Sequence, residues 1–210
     1  MSARPILLLG AGGHARACID VIEQQNLFAV SSLVGRSDEV GGMVLGYPVL
    51  GTDDDLPRLL HGHSHALIAV GQIKSAEPRI RLFDSLVQAG CALPVIVSPW
   101  AYVSRHATLG AGTIVMHGAI VNAGAVVGCN CIINSQSLVE HDAVIGDHCH
   151  IATAAAINSG ARIGSATFIG SNSCVRQRVG IGEGCVIGMG QRILSDCSAG
   201  TWAPPRREKS

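Results

Sequence analysis

From Val97 onward, an aliphatic side chain recurs at every sixth position of the chain. The series is unbroken and comprises Val97, Val103, Leu109, Val115, Val121, Val127, Ile133, Val139, Ile145, Ile151, Ile157, Ile163, Ile169, Val175, Ile181, Ile187 and Ile193. An α-helix repeats every 3.6 residues and a β-strand alternates every 2, so neither keeps a six-residue phase. A six-residue unit fits one flat side of a three-sided coil. The series therefore predicts a parallel β-helix of about five and a half coils.

Small side chains occupy the position two residues before most of these aliphatic residues. They are Ala101, Ala107, Thr113, Ala119, Ala125, Cys131, Ser137, Ala143, Cys149, Ala155, Ala161, Thr167, Ser173 and Cys185. Directly after the aliphatic residue glycine recurs, at Gly110, Gly128, Gly146, Gly164, Gly170, Gly182 and Gly188. We interpret the small residues as filling tight corners and the glycines as helping the chain to turn. The three cysteines of this set are interpreted as packing residues.

The first 90 residues alternate strand-like and helix-like segments. Strands are predicted at 6–9, 28–34 and 66–70, and helices from after Ala15 to about Gln25 and at 75–89. The inner face of the second helix is predicted to carry Ile80, Leu82, Phe83, Leu86 and Val87. Alternating strands and helices predict a parallel α/β sheet.

A glycine loop, Gly10-Ala11-Gly12-Gly13-His14-Ala15, joins the first strand to the first helix. It resembles the G-x-G-x-x-A fingerprint, in which glycines let a phosphate approach the free N–H groups of a helix N-terminus. The acidic residue expected after the second strand is replaced by Gly35-Arg36. The loop predicts a half-size nucleotide- or nucleotide-sugar-binding domain, and a purely structural turn is the alternative.

Glu140-His141-Asp142 stands out on the charge-poor repeat, directly after the inward Val139. A neutral imidazole accepts a proton near pH 7, and a carboxylate on its other nitrogen raises its basicity. We interpret the cluster as catalytic, with a solvated polar turn as the alternative. His150 follows half a coil later, so it leaves a different face and would meet a shared ligand across a subunit boundary.

Composition adds several exclusions. The formal net charge is zero, which gives no reason to expect nucleic acid or an anionic membrane as a partner. No C-x-x-C pair, signal peptide or spanning apolar run is recognised, so we expect a cytoplasmic protein with reduced thiols. The stretch His61-Gly62-His63-Ser64-His65 is interpreted as a solvated loop, and no metal site is expected.

The glycine loop ending Gly12-Gly13-His14, the strand ending Ala69-Val70-Gly71, and the coils carrying Asn134 and Glu140-His141-Asp142 together resemble one family. From about residue 5 to 196, the chain resembles the sugar O-acyltransferase family of sialic acid O-acetyltransferases. That family includes N-acetyltransferases that act on UDP-4-amino-4,6-dideoxy sugars and on perosamine. The resemblance implies an α/β, Rossmann-like half domain, a left-handed parallel β-helix, a homotrimer with intersubunit sites, and acetyl-CoA as co-substrate.

The resemblance also implies roles for individual residues. His141 would be the general base, Asp142 would raise its basicity, and His150 would contact acetyl-CoA near the thioester. Substrate contacts are expected from Gly12, Gly13, His14, Gly71, Gln72 and Asn134. The pantetheine channel is expected to be lined by Gly170, Ser171, Gly188 and Met189. Arg206 and Arg207 of the tail are expected near the CoA phosphates.

The expected function is direct acetyl transfer, in a ternary complex, to the amino group of a nucleotide-linked 4-amino-4,6-dideoxy sugar. One alternative is O-acetylation of sialic acid or another sugar hydroxyl by the same residues. A second is a non-catalytic β-helix scaffold that senses a nucleotide. An NADP-dependent oxidoreductase, suggested by Arg36 as a 2′-phosphate contact, is disfavoured because the repeat leaves no second domain for that chemistry. Because Gly35-Arg36 replaces the acidic residue expected after the second strand, the identity of the nucleotide also stays open.

We divide the chain into a nucleotide-sugar-binding domain (1–92), a β-helix acyltransferase domain (93–198) and a tail (199–210). The segment 144–163 contains only Asp147, Arg162 and histidines as polar ionisable groups. Flat parallel faces with so few charges need to be covered, which agrees with the implied trimer.

Overall fold

The computed structural model describes residues 3–203. Its N-terminal part is a sheet of five strands, namely β1 (Arg4–Leu9), β2 (Phe28–Val34), β3 (Met43–Val44), β4 (Tyr47–Gly51) and β5 (Ala66–Ile68). The strand order is β3-β4-β2-β1-β5, and only the β3–β4 pair is antiparallel. The helices are α1 (Gly13–Gln25), α2 (Leu56–Leu60) and α3 (Glu77–Gln88), with a 3-10 turn at Asp53–Asp55 before α2.

β1 is buried on both faces, which explains its uninterrupted apolar run. Ile6 and Leu8 pack with α1, whereas Leu7 and Leu9 pack with residues of α2 and α3. Double coverage of a central strand is the rule in parallel sheets. The predicted parallel α/β arrangement is therefore confirmed, although β3 and β4 were not predicted.

The buried face of α3 differs from the prediction. Arg79, Leu82 and Leu86 are buried, whereas Val87 is 53% exposed. The buried positions follow the helical spacing of three and four residues, and a cation occupies one of them. Expecting only apolar side chains on that face was wrong at Val87 and omitted Arg79.

Three flat sheets of two-residue parallel strands make up the rest of the structure. The first face contains Tyr102–Val103, Ile120–Val121, Leu138–Val139, Ala156–Ile157, Cys174–Val175 and Arg192–Ile193. The second face contains Thr108–Leu109, Val126–Val127, Val144–Ile145, Arg162–Ile163 and Gly180–Ile181. The third face contains Ile96–Val97, Ile114–Val115, Ile132–Ile133, His150–Ile151, Phe168–Ile169, Val186–Ile187 and Trp202–Ala203.

The second residue of each strand points into a single core, which contains the aliphatic series and the small corner residues. Each strand pairs with the strand 18 residues later, for example Val121 with Val139. This arrangement is consistent with a left-handed β-helix. Trp202–Ala203 continues the third face, and the predicted contacts of Arg206 and Arg207 lie outside the described residues. The domain division itself stays a prediction.

The interpretation of the recurring glycines as turn residues was wrong. Left-handed backbone occurs three positions after the aliphatic residue, and most of those positions are not glycine, as at Asn130, Gln136 and Ala154. The glycines directly after the aliphatic residue serve the close stacking of coils. A Cβ on Gly110 would lie 2.5 Å from the Cys129 nitrogen of the next coil.

The corner cysteines hydrogen-bond as well as pack. The thiols of Cys131 and Cys149 donate to the carbonyls of Gly146 and Gly164, each at 3.1 Å. Thr167 occupies the same column and donates to Gly182 at 3.0 Å. The hydrogen bond with Cys131, together with burial, raises the pKa of the Cys149 thiol. A thiol whose pKa is raised by burial is a poor nucleophile, so Cys149 is structural.

The N-terminal domain packs on the third face. The outward residues Ile96, Ile114 and Ile132 share one core with α1 and β1. A hydrogen bond of 2.9 Å from His117 Nε2 to the carboxylate of Asp20 joins α1 to the first coils. The corner between the first and second faces is therefore on the opposite side of the prism from the N-terminal domain.

Candidate active site

A cavity of about 910 Å³ opens at the carboxyl ends of β1, β2 and β5. Ligands of open α/β sheets bind at this edge. The cavity is lined by the glycine loop, the residues after β2, the start of the 3-10 turn, the end of β5 and one side of α3. These include Gly10, Gly12, Gly13, His14, Arg36, Glu39, Asp53, Asp54, Gly71 and Arg81.

The glycine loop leaves its backbone open to a ligand. Apart from the chain neighbours and the backbone of α1, no described atom lies within 4 Å of the place where a Cβ on Gly12 or Gly13 would stand. Gly10 has a φ of +123°, and a Cβ there would lie 2.8 Å from the Ala69 backbone. Among the described residues, no side chain caps the start of α1 and its first turn has no acid. The free N–H groups and the helix dipole therefore face the cavity and favour an anion.

Four of the predicted site residues meet where the N-terminal domain contacts the third face. His150 Nδ1 donates to the Gln72 carbonyl at 2.6 Å, which leaves Nε2 to accept from Asn134 Nδ2 at 3.1 Å. The ring of His14 lies 6.4 Å from that of His150. Burial, with the nearby charge of Arg79, lowers the pKa of His14 to about 3 and that of His150 to about 4. Both imidazoles are therefore neutral at pH 7.

Arg79 is a fully buried cation beneath this group, 1% exposed. Its guanidinium donates to the carbonyls of Ile68 and Val70 at 3.0 and 2.6 Å. It also donates to the carbonyl and side-chain oxygens of Asn130 at 2.8 and 2.6 Å. Burial lowers the pKa of Arg79 to about 10, so it stays charged at neutral pH. Arg79 thereby connects the end of β5 to the β-helix.

His141 lies elsewhere, at the corner between the first and second faces. Its Nδ1 hydrogen-bonds to the Asp142 carboxylate at 2.8 Å, and its side chain is 58% exposed. Glu140 accepts from the His141 backbone N–H and from Asn122 Nδ2, each at 3.1 Å. Asp142, and not Glu140, therefore orients the ring and directs its Nε2 to solvent.

The predicted residues thus fall into separate groups. Gly12, Gly13, His14 and Gly71 line the cavity, and Gln72, Asn134 and His150 adjoin His14. The glycines Gly170 and Gly188 stack on adjacent coils, Gly190 N–H donates to the Ser171 carbonyl, and Met189 is exposed. The roles of these residues stay predictions, as do those of His141 and Asp142.

Sequence reasoning missed the charged residues of the cavity wall. Glu39, Asp53 and Asp54 line it beside Arg36. Burial, together with Asp54, raises the pKa of Asp53. The three consecutive aspartates after Thr52 follow a β-strand and could have indicated this edge of the sheet.

The histidine loop has ordinary backbone partners. His61 Nδ1 contacts the Pro57 carbonyl at 2.6 Å, and His63 Nδ1 contacts that of Leu59 at 2.7 Å. Within residues 3–203, no group of three His, Cys, Asp or Glu side chains is arranged to hold a metal ion. None of the helices in that part of the chain is long and apolar enough to span a membrane.

Lowering the pH from 7 to 5 is expected to lower the Tm through His14 and His150. In the unfolded chain their pKa returns to about 6.5, so the unfolded state binds more protons in this window. Stability must then rise with pH and decline as the pH falls below about 6.5. Thermal melts at constant ionic strength check this. The Tm of the His150→Asn variant should fall less steeply with pH than that of the wild type. Equal slopes would contradict the contribution of His150 to the pH dependence.

Comparison with known proteins finds one matching domain family and several similar solved structures. The PglD N-terminal domain family matches residues 5–86. PerB from Caulobacter crescentus, solved in complex with CoA and GDP-perosamine, is 31% identical, with 94% of this chain and 92% of that chain covered and a TM-score of 0.88. A histidine-to-asparagine mutant of perosamine N-acetyltransferase from the same bacterium is 30% identical, covers 98% and 97%, and has a TM-score of 0.89.

The acetyltransferase domain of PglB from Neisseria gonorrhoeae, solved with acetyl coenzyme A, is 30% identical over 95% of each chain, with a TM-score of 0.85. Among curated protein sequences, none matches the chain significantly.

Proposed function

Because the chain belongs to the hexapeptide-repeat family of acetyl-CoA-dependent sugar acetyltransferases, we propose that it acetylates the amino group of a nucleotide-linked 4-amino-4,6-dideoxy sugar. The observation that carries this proposal is the joint presence of a nucleotide-sized cavity and an oriented, solvent-facing imidazole on one chain. PerB, the relative solved with GDP-perosamine and CoA, supports a nucleotide sugar as acceptor.

The cavity supports binding of the nucleotide part. A diphosphate would lie against Gly12, Gly13 and the N-terminus of α1, where N–H groups are free and no acid competes. The base and ribose would then lie toward Arg36 and Asp53 at the other end of the cavity.

His141 would act as the general base. Its Nε2 accepts the proton of the sugar amine as the nitrogen attacks the thioester carbonyl carbon. The C–N bond forms, the C–S bond breaks, and the CoA thiolate leaves and receives the proton. His150 Nε2 is a hydrogen-bond acceptor, so a backbone N–H is the donor we propose for the developing oxyanion.

A homotrimer would bring the two parts of the site together. The cavity belongs to the domain on the third face, whereas His141 lies at the opposite corner. The faces that flank His141 expose Ile120 and Val126 in a single chain. Apolar stripes of this kind are surfaces for association. Sedimentation as a monomer at micromolar concentration would contradict the shared site.

The activity is tested with acetyl-CoA and a panel of GDP- and UDP-linked 4-amino sugars, with product mass and CoA release as readouts. We expect acetylation of an amino sugar nucleotide and no turnover of the matched 4-hydroxy sugar. Preferential acetylation of the hydroxyl acceptors would overturn the choice of nitrogen. The absence of any acetyl-CoA-dependent product or thermal shift would overturn catalysis altogether.

A further inference from the structure

Asp142 occupies the left-handed position of its turn, with a φ of +61°. Eighteen residues earlier, Gly124 occupies the same position in the preceding coil, with a φ of +74°. Asp142 N–H donates to the Ala123 carbonyl at 3.2 Å, so the two turns stack directly. The Asp142 carboxylate therefore lies over Gly124 while its other oxygen receives His141 Nδ1.

Left-handed backbone does not by itself explain why residue 124 is glycine. Alanine occupies the equivalent position at Ala154 and Ala166, with φ of 57° and 59°. The coil thus accepts a Cβ in this conformation elsewhere. What differs at Gly124 is the space above it, since a Cβ there would clash with Asp142 Oδ1.

We propose that Gly124 is a positioning residue for acetyl transfer, because the missing side chain leaves the space in which Asp142 can hold the imidazole of His141. This inference rests on the proposed roles of His141 and Asp142. A methyl group at 124 would displace the carboxylate, which is the mobile end of an exposed side chain, at little cost to the fold. The imidazole would then lose the partner that fixes its tautomer and keeps Nε2 free to accept a proton.

Gly118 provides a matched control. Gly118 stacks on Gln136, 18 residues later, just as Gly124 stacks on Asp142. Its φ is +69°, and a Cβ there would lie an acceptable 3.4 Å from Gln136 Cγ. Gly118→Ala and Gly124→Ala therefore impose the same backbone strain, and only the second displaces a carboxylate.

The test compares kcat, KM and Tm for Gly124→Ala, Gly118→Ala, Asp142→Ala and the double variant Gly124→Ala/Asp142→Ala. Gly124→Ala should lower kcat by roughly 10-fold or more, the loss typical of disturbing the partner of a functional imidazole, with KM for both substrates nearly unchanged. Gly118→Ala should keep the wild-type kcat, and both single glycine variants should show similar Tm values. In the Asp142→Ala background, Gly124→Ala should cause no further loss of kcat.

Two outcomes would overturn the inference. One is a wild-type kcat in Gly124→Ala, and the other is a loss in the double variant equal to the product of the two single losses. If Asp142→Ala keeps full activity, the inference fails together with the orienting role of Asp142. Failure of the proposed base is recognised separately, by full activity of His141→Ala.

Discussion

Replacing His141 with alanine is expected to lower kcat by roughly 10²- to 10⁴-fold, the usual contribution of a positioned general base. Because Asp142 occupies Nδ1 of the His141 imidazole, Nε2 is the ring nitrogen left to accept a proton. KM for acetyl-CoA should change little, because in the proposed mechanism the imidazole contacts the sugar amine and does not bind the thioester. Steady-state kinetics with acetyl-CoA and the preferred amino sugar nucleotide give both parameters.

His106→Ala is the matched control for that experiment. His106 is an exposed imidazole in the same column of turns, two coils before Asp142, and its Nε2 accepts a hydrogen bond from Arg105 Nε. Its removal should leave kcat unchanged. Near-full turnover in His141→Ala would exclude the base assignment while leaving the family membership intact.

Replacing Arg79 with methionine is expected to destabilise the fold by about 3–5 kcal/mol, because several buried oxygens lose their donor and each such loss costs roughly 1–3 kcal/mol. Methionine fills a similar volume but leaves the oxygens of Ile68, Val70 and Asn130 without their donor. For a chain of this length the loss corresponds to a fall in Tm of roughly 6–20 °C. Thermal melts at pH 7 and fixed protein concentration measure it.

Arg79→Lys separates the effect of charge from that of geometry, and Arg81→Met is a control on the same helix. Arg79→Lys keeps the cation but cannot reach all four oxygens, so its Tm should fall between those of the wild type and Arg79→Met. Arg81→Met removes an exposed arginine of the same helix and should shift Tm by no more than about 2 °C. If Arg79→Met melts within that margin, Arg79 does not hold the two domains together.

The candidate site was partly predictable from the chain. The glycine loop was recognisable because missing side chains at Gly12 and Gly13 leave the backbone open to a ligand. The cluster around His141 is conspicuous in the sequence because it is charged and lies on an apolar repeat, and its catalytic role stays a prediction. The acids of the cavity were missed because three strands, β2 to β4, separate Asp53 and Asp54 from Gly12 along the chain, and these residues come close only at the sheet edge.

The repeating architecture was available from the linear pattern alone, since only a stacked three-sided coil places every sixth residue in one apolar core. The buried polar contacts required the folded chain. Gln72 and His150 are 78 positions apart, and Arg79 and Asn130 are 51 apart. Those pairs meet only because the N-terminal domain docks on the third face. Burial at this contact keeps the His150 imidazole neutral, and the buried Arg79 guanidinium joins the end of β5 to the β-helix through hydrogen bonds. The role proposed for Gly124 likewise depends on the stacking of one turn on the next, which only the folded chain shows.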